Sequence, residues 1–232
     1  YLYKYLDTVV VLTRESESWF LKYTKAKKVV VIPNVANWKL ALTKPMKKPL
    51  KDENTKLLIA VGRLVEQKNF KILINIFGKL SVKYPQWKLV ILGEGQERKS
   101  LEKQILELEL ITKIELPGAV GNIGEWYEKA DIFALTSSFE GFPNALVEAM
   151  AYGVASISFD CDTGPRDIIK NNVNGILVPI DDVVLFTKKL DLLMGDSSLR
   201  NQFSKKSINI REELSEDKVY SKWDRVLKGY DL

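Results

Sequence analysis

Short apolar runs alternate with amphipathic stretches along most of the chain. The apolar runs are rich in Val, Ile and Leu, which is typical of strands that helices cover on both faces. They occupy residues 7–13, 27–33, 56–62, 87–93, 113–118, 130–137, 154–160 and 175–179. The spacing of apolar residues predicts helices near 14–24, 69–83, 96–110, 123–129, 143–152, 165–170, 181–194, 197–213 and 217–230. This alternation predicts an α/β protein with a doubly wound parallel sheet.

The alternation is interrupted at residues 34–56, which are rich in Lys and Pro and show no hydrophobic period. Such a composition is typical of a linker. We therefore predict a β-α-β remnant of one domain at 1–33, an interdomain linker at 34–56, and a complete domain at 57–232 that ends in helices near 197–230. The opening YLYKYLDTVVVL lacks an initiator Met and the features of a signal peptide, so we expect the chain to be part of a longer protein.

The composition excludes several kinds of protein. Hydrophobic residues make up 46% and charged residues 28%, as in a soluble globular protein, and no apolar run approaches the ~18 residues of a membrane span. The 232 residues contain one cysteine, Cys161, and no histidine. These counts exclude an internal disulfide, the usual zinc sites and catalytic Ser-His or Cys-His pairs. Any chemistry must use carboxylates, lysines, arginines, hydroxyls and the backbone.

The net charge of +5 includes two groups of lysines, at positions 25, 27 and 28 and at positions 44, 47, 48 and 51. Both groups are either solvated parts of a loop and a linker, or attract an anionic membrane surface or a phosphorylated acceptor. We expect no nucleic-acid partner, because the basic residues are not interleaved with aromatic residues in a recognition pattern.

Residues just after the predicted strands are informative, because ligands of an open parallel sheet bind outside the carboxyl ends of its strands. Gly62 ends one strand, and Arg63 and Lys68 lie in the loop that follows. This stretch lacks the second glycine and the hydroxyl residue of a P-loop. It is therefore either a loop with solvated charges or a site that offers two cations to an anion.

Glycine-containing loops follow the next two strands. The sequence GEGQE at 93–97 has a lone G-x-G without the third glycine of a dinucleotide motif, so we interpret it as a tight turn between strand and helix. The sequence GAVGNIG at 118–124 is open enough for its backbone to approach a flat ring. Its glycines are equally typical of turns.

The stretch SSFEGFPNALVEAM at 137–150 carries clear helix boundaries. Pro143 suits the first helical position, and Gly153 suits the left-handed position past the helix end. The first turn would then offer unpaired backbone N–H groups to an anion. These groups belong to Asn144, Ala145 and Leu146.

Two carboxylates flank this predicted anion site. Glu140 lies in the turn before the helix, and Glu148 lies roughly 200° around the helix from Leu146. We therefore expect Glu148 to face away from the core, toward solvent or a ligand. Acids beside an anion site would repel the anion unless the ligand also carried hydroxyl groups. The stretch predicts a ligand with both phosphate and sugar hydroxyl groups.

Three motifs together resemble one known family. They are G-R-x-x-x-x-K with Arg63 and Lys68, the E-x7-E pair around G-F-P-N, and DTGPRDII at 162–169. They resemble the C-terminal, nucleotide-sugar-binding half of retaining glycosyltransferases of the GT-B type, family 4. The resemblance covers residues 57–195 and, more weakly, 1–56. It implies a Rossmann-like domain with an N-terminal β-α-β remnant of the other GT-B domain.

The resemblance implies a catalytic role for Arg63, Lys68 and Glu140. Arg63 and Lys68 would hold the diphosphate and stabilise the charge on the departing nucleoside diphosphate. Glu140 would hold the donor sugar. The other residues implied to bind the donor are Gly62, Val120, Gly141, Phe142, Asn144, Ala145, Leu146 and Glu148. Glu148 would accept from the ribose hydroxyls, the loop at 118–123 would frame the base, and no divalent metal or other cofactor would be required.

The resemblance further implies the reaction and its partners. A hexose or N-acetylhexosamine would pass from a nucleotide sugar, with UDP the commonest in the family, to a polysaccharide or polyprenyl-diphosphate-linked acceptor. The enzyme would be cytoplasmic and peripheral on the inner face of the cell membrane. The 232-residue chain alone would bind the donor without transferring its sugar. A nucleotide-sugar epimerase of the same architecture is an alternative that the E-x7-E spacing disfavours, and a non-catalytic nucleotide-sugar-binding module is another.

Overall fold

A six-stranded sheet forms the centre of the computed structural model, which describes residues 2–49, 52 and 54–230. Its strands are β3 (Lys56–Val61), β4 (Trp87–Leu92), β5 (Ile114–Gly118), β6 (Ile132–Leu135), β7 (Ala155–Asp160) and β8 (Ile176–Pro179). Every neighbouring pair is parallel, in the order β5-β4-β3-β6-β7-β8. A separate parallel pair is formed by β1 (Val9–Val11) and β2 (Val29–Val31).

The strand order determines where a ligand can bind. From β3 the chain winds outward to β5 and then returns to β6, which pairs with β3 on its free side. This is the doubly wound order, and a crevice opens at the carboxyl ends of the two strands where the winding reverses. The predicted fold class is therefore confirmed, and the loops after β3 and β6 border the crevice.

The helices alternate with the strands and lie close to the predicted positions. They are α1 (Arg14–Tyr23), α2 (Phe70–Ser81), α3 (Arg98–Glu107), α4 (Ile123–Lys129), α5 (Asn144–Ala151), α6 (Pro165–Ile168), α7 (Val183–Gly195), α8 (Ser197–Ser207), α9 (Ile210–Glu213) and α10 (Glu216–Leu227). Short 3-10 turns form at Leu2–Tyr5 and Glu66–Lys68. The one helix predicted near 197–213 is interrupted, so that α8 and α9 are separate. No helix of the described chain is both long and apolar enough to cross a bilayer.

Alternate residues of the strands feed two cores, one on each face of the sheet. On one face, Leu58 and Ile91 pack against α2, α3, α7 and α8. On the other, Ile59 and Leu92 pack against α4, α5, α6 and α9. Helix α2 shows how the sequence specifies this arrangement, because its buried residues recur at helical spacing. They are Phe70, Leu73, Ile74, Ile76, Phe77, Leu80 and Ser81.

The segment from β2 to β3 has no helix or strand in its described part, and yet it is anchored to the rest of the molecule. Ala36 and Leu40 join the core under α5. At the end of the chain, Val219 of α10 packs against Val30 and Ile32 of the small sheet region. The last helix thus contacts the predicted remnant at residues 1–33, which we call the N-terminal unit. The division into domains at 33 and 57 stays a prediction.

Candidate active site

The loop after β3 folds back over its own first residue. Gly62 ends the strand, and the 3-10 turn Glu66–Lys68 returns Lys68 to it. A Cβ atom on Gly62 would lie 3.1 Å from Cε of Lys68, so glycine leaves room for the lysine side chain. From the end of β6, the hydroxyl of Thr136 donates to the carbonyl oxygen of Lys68 at 3.0 Å. Neighbouring strands therefore fix the position of Lys68 at the crevice.

Two of the three residues predicted to be catalytic are in direct contact. Nζ of Lys68 lies 2.7 Å from Oε1 of Glu140, and the two side chains are 16% and 6% exposed. An ammonium group has three donors, so Lys68 keeps two for another acceptor. Within the described chain no group donates to Oε2 of Glu140. The pair is able to contact a phosphate through the lysine and a hydroxyl through the carboxylate.

Arg63 lies in a different environment from Lys68. Its residue is exposed, and none of the described carboxylates forms an ion pair with it. Arg63 and Gly62 border an open cleft of about 370 Å³ that Ala119, Val120 and Ile123 also line. The structure therefore brings Val120, the residue predicted to frame the base, to the same cleft as Arg63.

The loop after β4 packs directly on the loop after β3. Gly93 has φ +143°, and a Cβ atom there would overlap the carbonyl oxygen of Gly62. The N–H of Gly62 donates to Leu92 at 3.0 Å, and the N–H of Leu64 donates to Glu94 at 2.8 Å. The G-x-G lies in the predicted turn between strand and helix, and the structure adds a reason for its glycines, which is the close approach of the two loop backbones.

The start of α5 differs from the prediction in its hydrogen bonding. Pro143 precedes the helix, with φ −81° and ψ 74°, and does not occupy the first helical position. The turn lets nearby carbonyls accept: Asn144 donates to Phe142 at 2.9 Å and Leu146 donates to Pro143 at 2.9 Å. The prediction that the N–H groups of Asn144 and Leu146 are free is therefore wrong. Past the helix end, Gly153 has φ +78° as predicted.

Three other backbone donors remain available in this turn. Among the described residues, none accepts from the N–H groups of Gly141, Phe142 and Ala145. Gly141 is also open to its surroundings, since a Cβ atom there would contact nothing within 4 Å. The backbone around Glu140 thus offers donors to an anionic or hydroxylated ligand, and among them is the free N–H that was predicted for Ala145.

Comparison with known proteins identifies the family. The family model described as glycosyl transferases group 1 matches residues 43–210. The chain belongs to this family. The transferase AmsD of amylovoran biosynthesis in Erwinia amylovora is 30% identical over 227 residues, which are 98% of this chain and 64% of that protein.

Two further comparisons extend this result. An α-1,4-N-acetyl-D-galactosaminyltransferase of Campylobacter jejuni, whose name includes a PP-undecaprenol-linked saccharide, is 30% identical over 86% of this chain and 54% of its own length. The structure of S. aureus TarM has a TM-score of 0.83 at 25% identity and covers 96% of this chain and 44% of TarM. The chain thus spans less than two thirds of the length of these relatives.

Glu148 was expected to face solvent or a ligand, and the structure shows that it does not face open solvent. It is half-buried, and its carboxylate accepts from the hydroxyl of Tyr127 at 3.1 Å. Burial raises the pKa of Glu148, and the hydrogen bond from Tyr127 partly opposes this rise. Burial also raises the pKa of Tyr127 well above its ordinary value. The side chain of Tyr127 reaches from α4 to Ala145 and Glu148 of α5 and covers that side of the helix.

The candidate site is also bordered by residues that the sequence analysis did not single out. Glu15 at the start of α1 accepts from the N–H of Thr163 at 2.5 Å and pairs with Arg166 at 2.8 Å. Nδ2 of Asn34 donates to Oδ1 of Asn144 at 2.9 Å. Residues of the N-terminal unit therefore contact the DTGPRDII segment, and the first residue of the linker contacts the start of α5. The described residues include no group of three or more acids or cysteines placed to hold a metal ion.

Proposed function

We propose that this chain forms the donor site of a retaining glycosyltransferase that moves a hexose or N-acetylhexosamine from a UDP-sugar to a polysaccharide or polyprenyl-diphosphate-linked acceptor. One observation carries the proposal. The 2.7 Å contact between Lys68 and Glu140 lies where β3 and β6 meet, which is where a doubly wound sheet binds its ligand. Arg63 and the free N–H groups of the 141–145 turn complete a set suited to a ligand with phosphates and hydroxyls.

The proposed roles follow from the chemistry of each group. The two cations bind the diphosphate, Arg63 through the donors of its planar guanidinium group and Lys68 through the charge of its ammonium group. As the glycosidic bond breaks, negative charge develops on the departing diphosphate, and both cations stabilise it more strongly than in the ground state. Glu140 accepts from a sugar hydroxyl and holds Lys68. Glu148 accepts from the ribose, and Val120 frames the base.

Several findings on relatives support the choice of substrates. The TarM structure contains UDP together with α-GlcNAc-glycerol, and the Campylobacter relative is named for a PP-undecaprenol-linked saccharide. A sugar nucleotide donor and a lipid-linked acceptor meet at the inner face of the cell membrane, and we propose that the protein works there. We further propose that donor binding needs no metal, because Arg63 and Lys68 supply the positive charge.

The donor site is tested by calorimetry with UDP, GDP, ADP and a panel of their sugar conjugates. We expect UDP and one UDP-sugar to bind. Glu148→Gln should lower the affinity for UDP more than the affinity for its 2′-deoxy analogue. Absence of binding by every nucleotide would overturn the proposal. Retention is tested by NMR on slow hydrolysis of the bound donor, where the α-anomer should appear first; initial release of the β-anomer would contradict a retaining mechanism.

A further inference from the structure

The segment between β2 and β3 contacts the loop that follows β5, which we define as residues 118–122 and call the β5 loop. Asn122 is 1% exposed. Its Oδ1 accepts from the N–H of Lys47 at 3.1 Å, and its Nδ2 donates to the carbonyl oxygen of Lys47 at 3.0 Å. Nδ2 also donates to Glu125 at 2.7 Å. A single buried amide therefore pairs with both backbone groups of one linker residue.

A second set of bonds joins the same two segments. The N–H of Gly121 donates to Pro45 at 2.6 Å, and its carbonyl accepts from the N–H of Thr43 at 2.8 Å. The hydroxyl of Thr43 donates to that carbonyl at 3.3 Å. A Cβ atom on Gly121 would overlap the carbonyl of Thr43, so only glycine permits this approach. Residues 43–47 and the β5 loop are held together from Gly121 to Asn122.

The opposite side of the β5 loop borders the candidate donor cleft. Ala119 and Val120 line the cleft that Arg63 also borders, while Gly121 and Asn122 bind the linker. The ammonium of Lys47 donates to the carbonyl of Pro117, at the end of β5. The linker therefore supports the wall of the cleft from behind without lining it.

We propose that Asn122 is a positioning residue that fixes the β5 loop on linker residues 43–47 and thereby sets the affinity for the nucleoside part of the donor. The inference rests on the proposed function and adds a residue and a contact to it. A loop held in its binding conformation loses less entropy when a ligand arrives. Because Arg63 and Lys68 lie outside the contact, affinity for the diphosphate part is independent of it.

The test compares uridine, UDP and inorganic pyrophosphate by calorimetry on the unmodified protein and on Asn122→Ala. We expect the affinity for uridine and for UDP to fall by the same factor, about tenfold, which is the size of about one net hydrogen bond. The affinity for pyrophosphate should stay within about twofold. In hydrogen exchange, the amide of Gly121 should lose protection in the variant.

Two further variants separate positioning from general damage. Gly121→Ala keeps Asn122 but inserts a methyl group against Thr43, so it should reproduce the selective loss of uridine affinity. Asn174→Ala is the matched control: Asn174 is 6% exposed and bonds to Lys170 at 2.8 Å and Ile168 at 3.3 Å, away from the linker. It should lower the melting midpoint and leave all three affinities unchanged.

The outcomes distinguish the inference from the function on which it rests. If the unmodified protein binds neither uridine nor UDP, the proposed function fails and the inference fails with it. If it binds both, but folded Asn122→Ala and Gly121→Ala retain full uridine affinity, the inference alone is overturned. An equal loss for pyrophosphate would show a general structural role and would also overturn it.

Discussion

At the scale of single residues, the two cations of the site are expected to differ in their contribution to stability. Lys68 is 16% exposed and pairs with Glu140, which is 6% exposed. Lys68→Ala would leave a buried carboxylate unpaired, which costs about 3–5 kcal/mol. Arg63→Ala removes an exposed side chain and should change stability by less than about 0.5 kcal/mol. Urea unfolding measures both; equal losses would show that the ion pair contributes little.

The same difference makes Arg63→Ala the cleaner test of diphosphate binding. Loss of one charge-assisted contact should weaken the binding free energy of UDP by about 1.5–3 kcal/mol and leave that of uridine nearly unchanged. The control is Lys103→Ala on α3, a cation with a 75% exposed side chain on another part of the surface. Calorimetry on these two variants measures the effect. If uridine and UDP lost affinity equally, Arg63 would be structural.

Glu148 provides a prediction for pH. Its folded pKa is raised above the ordinary value of 4.5, mainly by burial. The folded state therefore binds a proton more tightly than the unfolded state, and ionisation of Glu148 lowers stability as pH rises from 4.5 through the folded pKa. Glu148→Gln should be more stable than the unmodified protein at pH 7, and the difference should vanish below pH ~4.

Urea unfolding at pH 4, 5, 6 and 7 measures this difference. The control is Asp167→Asn, which removes an exposed carboxylate whose Oδ2 accepts from the N–H of Arg14 at 2.9 Å. A constant difference in stability between Glu148→Gln and the unmodified protein across this range would show that burial does not raise the pKa of Glu148.

At the scale of secondary-structure elements, the packing of the loops after β3 and β4 predicts opposite outcomes for two glycine substitutions. Gly93→Ala meets the carbonyl of Gly62 at φ +143° and should destabilise the protein by more than about 2 kcal/mol. Gly62→Ala meets only the flexible end of Lys68, at 3.1 Å. It should destabilise the protein less than Gly93→Ala does, and it should reduce UDP affinity by shifting the ammonium of Lys68.

Thermal melts and UDP titrations on the two variants measure these effects. A folded, stable Gly93→Ala protein would mean that the two loops are able to separate without cost. Unchanged UDP affinity in Gly62→Ala would mean that the position of Lys68 does not affect the diphosphate.

The elements themselves were predictable because each is specified by residues close in sequence. Apolar runs identified the strands, and the buried spacing of α2 follows the helical period. Contacts between distant residues carry no such signal. Tyr127 covers Glu148 from another helix, and Asn122 binds Lys47 from 75 positions away. The preference of proline for the first helical position also gave a wrong prediction at Pro143, which precedes the helix. The turn there pairs the N–H groups of Asn144 and Leu146 with carbonyls of Phe142 and Pro143.

At the scale of the whole molecule, the N-terminal unit is joined to the six-stranded sheet at both ends of the chain. Glu15 binds the segment after β7, and Val219 of α10 packs on Val30. Between them, the linker lies on the β5 loop. The sequence indicated a separate unit and a linker by composition, but composition does not specify how segments dock. The proposed donor site at the crevice therefore lies on a surface that all three parts support.

This arrangement leads to a prediction about metal ions. The proposed diphosphate site draws its positive charge from Arg63 and Lys68, so UDP should bind equally well in EDTA and in magnesium. At a UDP concentration 100 times its Kd, binding stabilises the folded state by about 2.7 kcal/mol. For a protein of this size that raises the melting midpoint by about 5–10 °C. Melting curves with UDP in EDTA, in magnesium and with Arg63→Ala measure the effect. A shift that appears only with magnesium would mean that a metal ion, and not the two cations, neutralises the diphosphate.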